Sequence, residues 1–169
     1  MRVTALPDVE AFVEIDKASG NVLSGRGNGT IDLKVDSETF DINGDYTLTS
    51  GNYKFVVLGL ASRDFSIKDG SSIRFGGDIM ESTLDIDATY RTKAALSTLI
   101  SDTTSVANKR IVDCGISITD KLSNPRLGFS IEIPDLDPMV KSRVESALST
   151  EDKVQKQFLS LIVSNNFLP

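Results

Sequence analysis

Residues 83–90 read Thr83-Leu84-Asp85-Ile86-Asp87-Ala88-Thr89-Tyr90, and the alternation in this octet decides the fold. In an extended strand, successive side chains leave opposite faces. Leu84, Ile86, Ala88 and Tyr90 therefore share one face, and Thr83, Asp85, Asp87 and Thr89 share the other. A helix of the same residues would spread the two carboxylates around its apolar side. The octet predicts a strand with one greasy face and one acidic, hydrated face.

The same period extends upstream. Phe40, Ile42, Tyr46 and Leu48 alternate with Asp41, Asn43, Asp45 and Thr47. Gly44 falls in the apolar row, where a glycine marks a bulge, a bend or a close approach of another group. Ser50-Gly51-Asn52 reads as a hairpin turn into Tyr53, Phe55 and Val57. Ile31, Leu33 and Val35 alternate with Thr30, Asp32 and Lys34, while Val9, Ala11, Val13 and Ile15 alternate with Glu10, Phe12, Glu14 and Asp16. Phe65 and Ile67 precede a turn at Asp69-Gly70-Ser71, after which Ile73 and Phe75 follow.

Downstream, residues 92–108 lose the period and read as a long connection. Val112, Cys114, Ile116 and Ile118 resume it, and so do Leu127, Phe129, Ile131 and Ile133, with a turn at Ser123-Asn124-Pro125 between the two runs. Beyond Pro134 the period lengthens to that of a helix. Asp137 is placed to cap a first helix with Pro138 in its first position, and Val140, Val144 and Leu148 line one face. Thr150 is placed to cap a second, with Glu151 and Asp152 in its first turn and Val154, Phe158, Leu161 and Ile162 as its apolar stripe. The expected fold is mainly β: a long amphipathic, antiparallel-rich sheet followed by two short C-terminal helices. Residues 1–134 make the β-rich part, and residues 135–169 make a helical segment that packs on or caps it, as one structural unit.

Composition removes most reaction mechanisms. The chain has no histidine, one cysteine and no tryptophan. Histidine triads, histidine metal sites and histidine general bases are therefore excluded. Cys114 has no second cysteine to pair with and no histidine to activate it, and its period-2 neighbours Val112, Ile116 and Ile118 mark it as a buried thiol. The expected protein is not an enzyme and needs no cofactor and no metal. A net charge of −6 argues against nucleic acid, whose phosphates require clustered Lys and Arg. No run approaches the roughly 18 uninterrupted apolar residues of a membrane span, and the opening MRVTALPDVE lacks the apolar core of a secretory signal. The chain reads as a fragment of a longer protein, so that missing signal places nothing.

Four local motifs have plainer readings than chemistry. Ser24-Gly25-Arg26-Gly27-Asn28-Gly29 has the glycines of a phosphate loop, but a strand starting near Thr30 follows rather than a helix, so a hairpin or bulge is expected. Asp135, Asp137 and Glu145 lack the mid-loop glycine of a helix-loop-helix calcium site. Asn28-Gly29-Thr30 is a glycosylation sequon only in a eukaryotic secretory setting. Asp85 and Asp87 have the spacing of a carboxylate pair, yet the alternation points both at water, so a solvated acidic face is expected.

What remains is the apolar face itself. It is either the core of a closed sandwich or barrel, or the lining of a groove that holds something else, and periodicity alone leaves both open. An exposed sheet edge that pairs with a partner's strand is a third use of the same strands.

The ordered series of short motifs narrows this. The run Phe40 to Phe55 with Gly44, Tyr46, Gly51 and Tyr53, then Phe65 to Asp78 with Gly70, Ile73, Phe75 and Gly77, then Leu84 to Tyr90, resembles the C-terminal domain of the TamB family, AsmA-like proteins of the bacterial envelope. The tail is similar too, through Ile131-Glu132-Ile133-Pro134-Asp135, Leu148 to Asp152, Gln157 to Leu161 and Phe167-Leu168-Pro169. The chain departs from the pattern at Ile79, where proline is expected, and at Phe75, where tryptophan is common.

The resemblance implies a β-taco, a sheet folded on itself as an open trough, apolar within and polar outside. It also implies a periplasmic location in a protein anchored in the inner membrane, with the anchor outside this chain. The implied partner is an outer-membrane assembly barrel of the TamA or BamA type. The implied client is a phospholipid or a nascent outer-membrane strand, shielded in the trough during passage between the membranes. The residues expected to contact the client or seal the trough are Ile31, Leu33, Ile42, Tyr46, Phe55, Ile86, Ala88, Ile116, Phe129 and Ile131. A trough with an open apolar seam also implies association of the isolated fragment, as a homodimer.

Overall fold

The octet forms part of a strand in the computed structural model, which describes residues 2–5, 10–16, 20–101 and 109–169. Leu84, Ile86 and Ala88 are buried, and Thr83, Asp85, Asp87 and Thr89 are exposed, as the alternation requires. Nine strands are described: β1 Arg2–Ala5, β2 Glu10–Asp16, β3 Asn21–Val35, β4 Phe40–Val57, β5 Ala61–Ile67, β6 Ser72–Gly77, β7 Thr83–Ala95, β8 Lys109–Lys121 and β9 Asn124–Glu132. The helices are α1 Leu96–Ile100, α2 Pro138–Ala147 and α3 Glu151–Ser164, with a 3-10 turn at Ile79–Glu81.

All nine strands belong to one sheet in the order β1-β3-β4-β5-β7-β8-β9. Off this path, β2 pairs with β3, and β6 pairs with both β4 and β7. The pairings β1–β3, β2–β3, β3–β4, β4–β6 and β6–β7 are antiparallel. The expected mainly β class therefore holds, and the described strands belong to a single sheet.

Three local expectations are corrected. Ser50-Gly51-Asn52 is not a hairpin turn, because β4 runs unbroken from Phe40 to Val57. Its register against β3 jumps from Arg26↔Ser50 to Gly27↔Leu48, which leaves Thr49 as a bulge residue. The Thr49 hydroxyl donates to the Arg26 carbonyl at 3.1 Å. One extra residue reverses the phase of a strand. Even-numbered Ile42, Tyr46 and Leu48 face inward before the bulge, odd-numbered Tyr53, Phe55 and Val57 after it, and all six are buried. Second, the glycine-rich segment 24–29 holds the other side of this bulge but lies inside β3, which begins at Asn21 rather than near Thr30. Third, residues 92–101 are not a loop. β7 continues to Ala95 and α1 follows, while residues 102–108 lie outside the described residues. Val9 also lies outside them.

The chain divides into two compact units. The first holds Met1–Phe55, Asp64–Ala88 and Ile116–Gly128. Its core includes Leu23, Leu48, Tyr53, Phe65, Leu84, Ile86, Ile116 and Ile118. Glycines let β3 and β4 approach closely on their inward side. A methyl group at Gly27 would collide with the Thr47 carbonyl, and one at Gly44, whose φ is +133°, with the Thr30 carbonyl. A side chain therefore cannot be accommodated at either point without moving the neighbouring backbone.

The second unit holds Val56–Arg63, Thr89–Gly115 and Phe129–Pro169. Both C-terminal helices start where the sequence predicts. The Asp137 carboxylate accepts from the Val140 amide at 3.0 Å, with Pro138 in the first turn, and the Thr150 hydroxyl accepts from the Lys153 amide at 3.2 Å. Phe158, Leu161 and Ile162 of α3 are buried together with Ala94, Val112 and Cys114. Arg63 donates to the Ile162 carbonyl at 2.9 Å, while Tyr90 and Thr92 both donate to the Asn165 side chain at 2.9 Å. These bonds fix the C-terminal end of α3 to the strands of its unit.

Candidate functional site

The inward rows of the first unit run from sealed to open. Along β4 the exposure rises from 0% at Tyr53 through 1% at Leu48, 4% at Tyr46 and 8% at Ile42 to 50% at Phe40. β3 repeats the gradient, from buried Leu23 through half-buried Ile31 and Leu33 to Val35, which is 63% exposed. Register brings the two rows together at their open end, with Leu33 opposite Ile42 and Val35 opposite Phe40. β6 adds half-buried Phe75 opposite Gly44.

The turn at this end is built by Asp36. Its carboxylate accepts from the amides of Glu38 at 2.9 Å and Thr39 at 2.7 Å, and its own amide donates to the Thr39 carbonyl at 3.0 Å. Those backbone bonds hold the Asp36 carboxyl below the usual carboxylate range. On the opposite face, exposed Asp32, Lys34, Asn43 and Asp45 keep the same strands wetted, and Asp45 pairs with Arg74 at 3.0 Å. The result is a dry row of aliphatic and aromatic groups leading out to water.

The second unit carries a separate groove of about 580 Å3. Phe129, Ile131 and Ile133 line one side and Val144, Leu148 and Val154 of the helical segment line the other, with Lys141, Glu132 and Glu145 also on its walls. Phe129 is held at its inner side by Phe158, ring centroid to centroid 4.7 Å.

The ten expected site residues thus fall into three settings. Tyr46, Phe55, Ile86, Ala88 and Ile116 are buried in the first unit, and burial raises the Tyr46 phenol above its usual range. Ile31, Leu33 and Ile42 lie along the rows that open. Phe129 and Ile131 belong to the groove of the second unit. Sequence reasoning missed Val35 and Phe40 as the most exposed members of the rows. Their signal is visible in retrospect, because apolar residues that directly flank a polar turn end their rows in solvent. It also missed the groove wall formed by Val144, Leu148 and Val154, since a helical stripe alone does not say how fully its partner strand covers it.

Cys114, the one thiol, is fully buried; burial, and then the adjacent Asp113 carboxylate, push it up to about 12. Asp113 itself sits below the carboxylate range because Arg91 binds it in bidentate fashion at 2.7 and 2.9 Å.

An amphipathic sheet followed by two C-terminal helices places the chain among the mainly β proteins. The chain belongs to the TamB family: the profile of the TamB C-terminal domain matches residues 4–169. No curated protein and no solved structure matches the chain. Membership in a family of transport and assembly modules makes this a bacterial envelope protein and supports a role in envelope biogenesis. No helix among the described residues is long and apolar enough to cross a membrane.

Proposed function

We propose that this domain shields an apolar client, either a phospholipid acyl chain or a nascent outer-membrane strand, along the inward rows of its sheet. The observation that carries the reading is the exposure gradient on β3 and β4, because a core closed on all sides has no reason to end in Val35 and Phe40 standing in water. The glycine approach of β3 to β4 supports a sheet curled toward its inward side as a trough. In this account Tyr46, Phe55, Ile86, Ala88 and Ile116 seal the interior, Ile31, Leu33 and Ile42 receive the client, and Phe129 and Ile131 serve the groove of the second unit. Residues 1–134 hold the client and residues 135–169 cap the sheet.

Covering apolar surface is worth about 25 cal/mol per Å2, or about 0.8 kcal/mol per methylene, so burying six methylenes of an acyl chain would contribute about 5 kcal/mol before ordering costs. No chemical step is required, and the protein acts without catalysis. Its setting is the periplasm, as part of a protein anchored in the inner membrane, and its partner is an outer-membrane assembly barrel of the TamA or BamA type. A second reading, strand pairing with a partner, is favoured by the position of β9 at the end of the strand order.

A fluorescent phospholipid titrated into the chain tests the first reading. Saturable binding that weakens at least about tenfold, the equivalent of about 1.4 kcal/mol, in a folded Leu33→Glu variant is expected. Unchanged binding in that variant would remove the rows from the account.

A further inference from the structure

β4 and β5 are joined by a two-residue turn that holds apolar side chains in water. The Leu60 amide donates to the Val57 carbonyl at 2.8 Å and closes the turn. Both central residues have positive φ, Leu58 at 47° and Gly59 at 68°. That pair is the signature of a type I′ turn, whose twist matches that of the strands it joins. The segment Val56–Arg63 that contains it lies wholly within the second unit.

Local folding does not call for leucine at position 58. Asn, Asp and Gly take up the left-handed backbone most readily, whereas a bulky side chain does so under strain. Leu58 carries that strain and adds almost nothing to the core. It is 90% exposed, and among the described residues no large apolar side chain is more so. Leu60, at the end of the turn, is 75% exposed, while the neighbouring Val57 is the residue that turns inward and is buried. Two leucines thus stand in water on a tight, backbone-closed tip, at a position that would suit asparagine better on both counts.

Three features of the tip define what it fits. Nothing lies within 4 Å of where a side chain at Gly59 would begin, so the tip protrudes and encloses no ligand. Two leucine side chains offer far less than the ~800 Å2 that each partner gives to a stable protein interface, which sets aside a second copy or a folded partner. Residues 56–62 carry no charge that would have to leave water. The cation that follows, Arg63, is engaged at the base of the hairpin, where it donates to the Ile162 carbonyl at 2.9 Å and lies 5.6 Å from the centre of the Tyr90 ring. A small, rigid, uncharged wedge suits a deformable apolar medium, and the acyl region of a bilayer is one.

We propose that the β4–β5 turn is an interfacial wedge, whose Leu58 and Leu60 enter the acyl region of a phospholipid bilayer and hold the second unit reversibly against the membrane surface. The wedge goes beyond the client reading and does not rest on it, since it uses none of the residues of the β3–β4 rows.

Flotation of the 169-residue chain with vesicles of phosphatidylethanolamine and phosphatidylglycerol tests the wedge. The chain should rise with the vesicles at millimolar lipid. Leu58→Asn should weaken partitioning about tenfold through loss of one inserted leucine. Its thermal midpoint should stay at or above that of the wild type, because asparagine accepts the left-handed backbone. The chain has no tryptophan, so Leu58→Trp adds a single reporter, whose emission should shift to the blue on vesicles and be quenched by brominated acyl chains. Leu33→Glu should float as the wild type does. Absence of flotation, equal flotation of wild type and Leu58→Asn, or a tryptophan that stays in water would overturn the wedge. Flotation lost in Leu33→Glu but kept in Leu58→Asn would overturn it too, while leaving the client reading in place.

Discussion

Single residues carry two separate demands, closeness at the β3–β4 pairing and dryness at Cys114. Gly27 has a neighbouring carbonyl where a methyl group would go, whereas Gly76 on β6 has open space. Gly27→Val should therefore cost at least about 2 kcal/mol of stability through overpacking, while Gly76→Ala should stay within about 0.5 kcal/mol. Urea melts of the two variants give the comparison, and equal stability would contradict the close approach. Cys114 should resist thiol reagents at pH 8 in the folded chain and react at once in urea. The sign of its pH effect follows from its raised value. The unfolded thiol ionises from about pH 8.5, the folded thiol only near 12, so the folded state loses ground as pH rises between them. A Cys114→Ala chain should lack that part of the alkaline loss in a series of thermal melts.

Strands and helices show what a sequence can and cannot disclose. The alternation around Ile86, the caps at Asp137 and Thr150 and the stripe of α3 were legible because each is set by neighbours within a few residues. The continuity of β4 was not, because Ser50-Gly51-Asn52 has the composition of a turn and only its pairing with β3 makes it a strand. The phase change from Leu48 to Tyr53 is visible in the sequence, but a hairpin and a bulge both produce it. The open ends of the rows were legible in part: Ile31 and Leu33 belong to them, but the extent of cover over Val35, Phe40 and Ile131 depends on residues far away in sequence. Thr49 gives the sharpest test at this scale. Deleting it should turn Tyr53, Phe55 and Val57 outward, and the chain should aggregate or fail to show cooperative unfolding by circular dichroism. A cooperative, wild-type-like transition would show that the phase change is not required.

For the molecule as a whole, apolar rows that end in water carry a cost that a client or a second copy can relieve. Without a client, the purified chain should associate as its concentration rises, seen as a growing mass in light scattering. Phe40→Glu should shift it back toward monomer, and a strict monomer at high concentration would count against an open row. The family supplies the envelope setting, and the gradient from Tyr53 to Phe40 is the physical ground on which a client is proposed. Native mass spectrometry of the chain after mild extraction from cells tests that claim most directly. The account predicts copurified apolar cargo, phospholipid or fatty acid, that is retained by the wild-type chain and lost in folded Leu33→Glu. Cargo retained equally by both, or a wild-type chain that carries none and binds no added phospholipid, would contradict it.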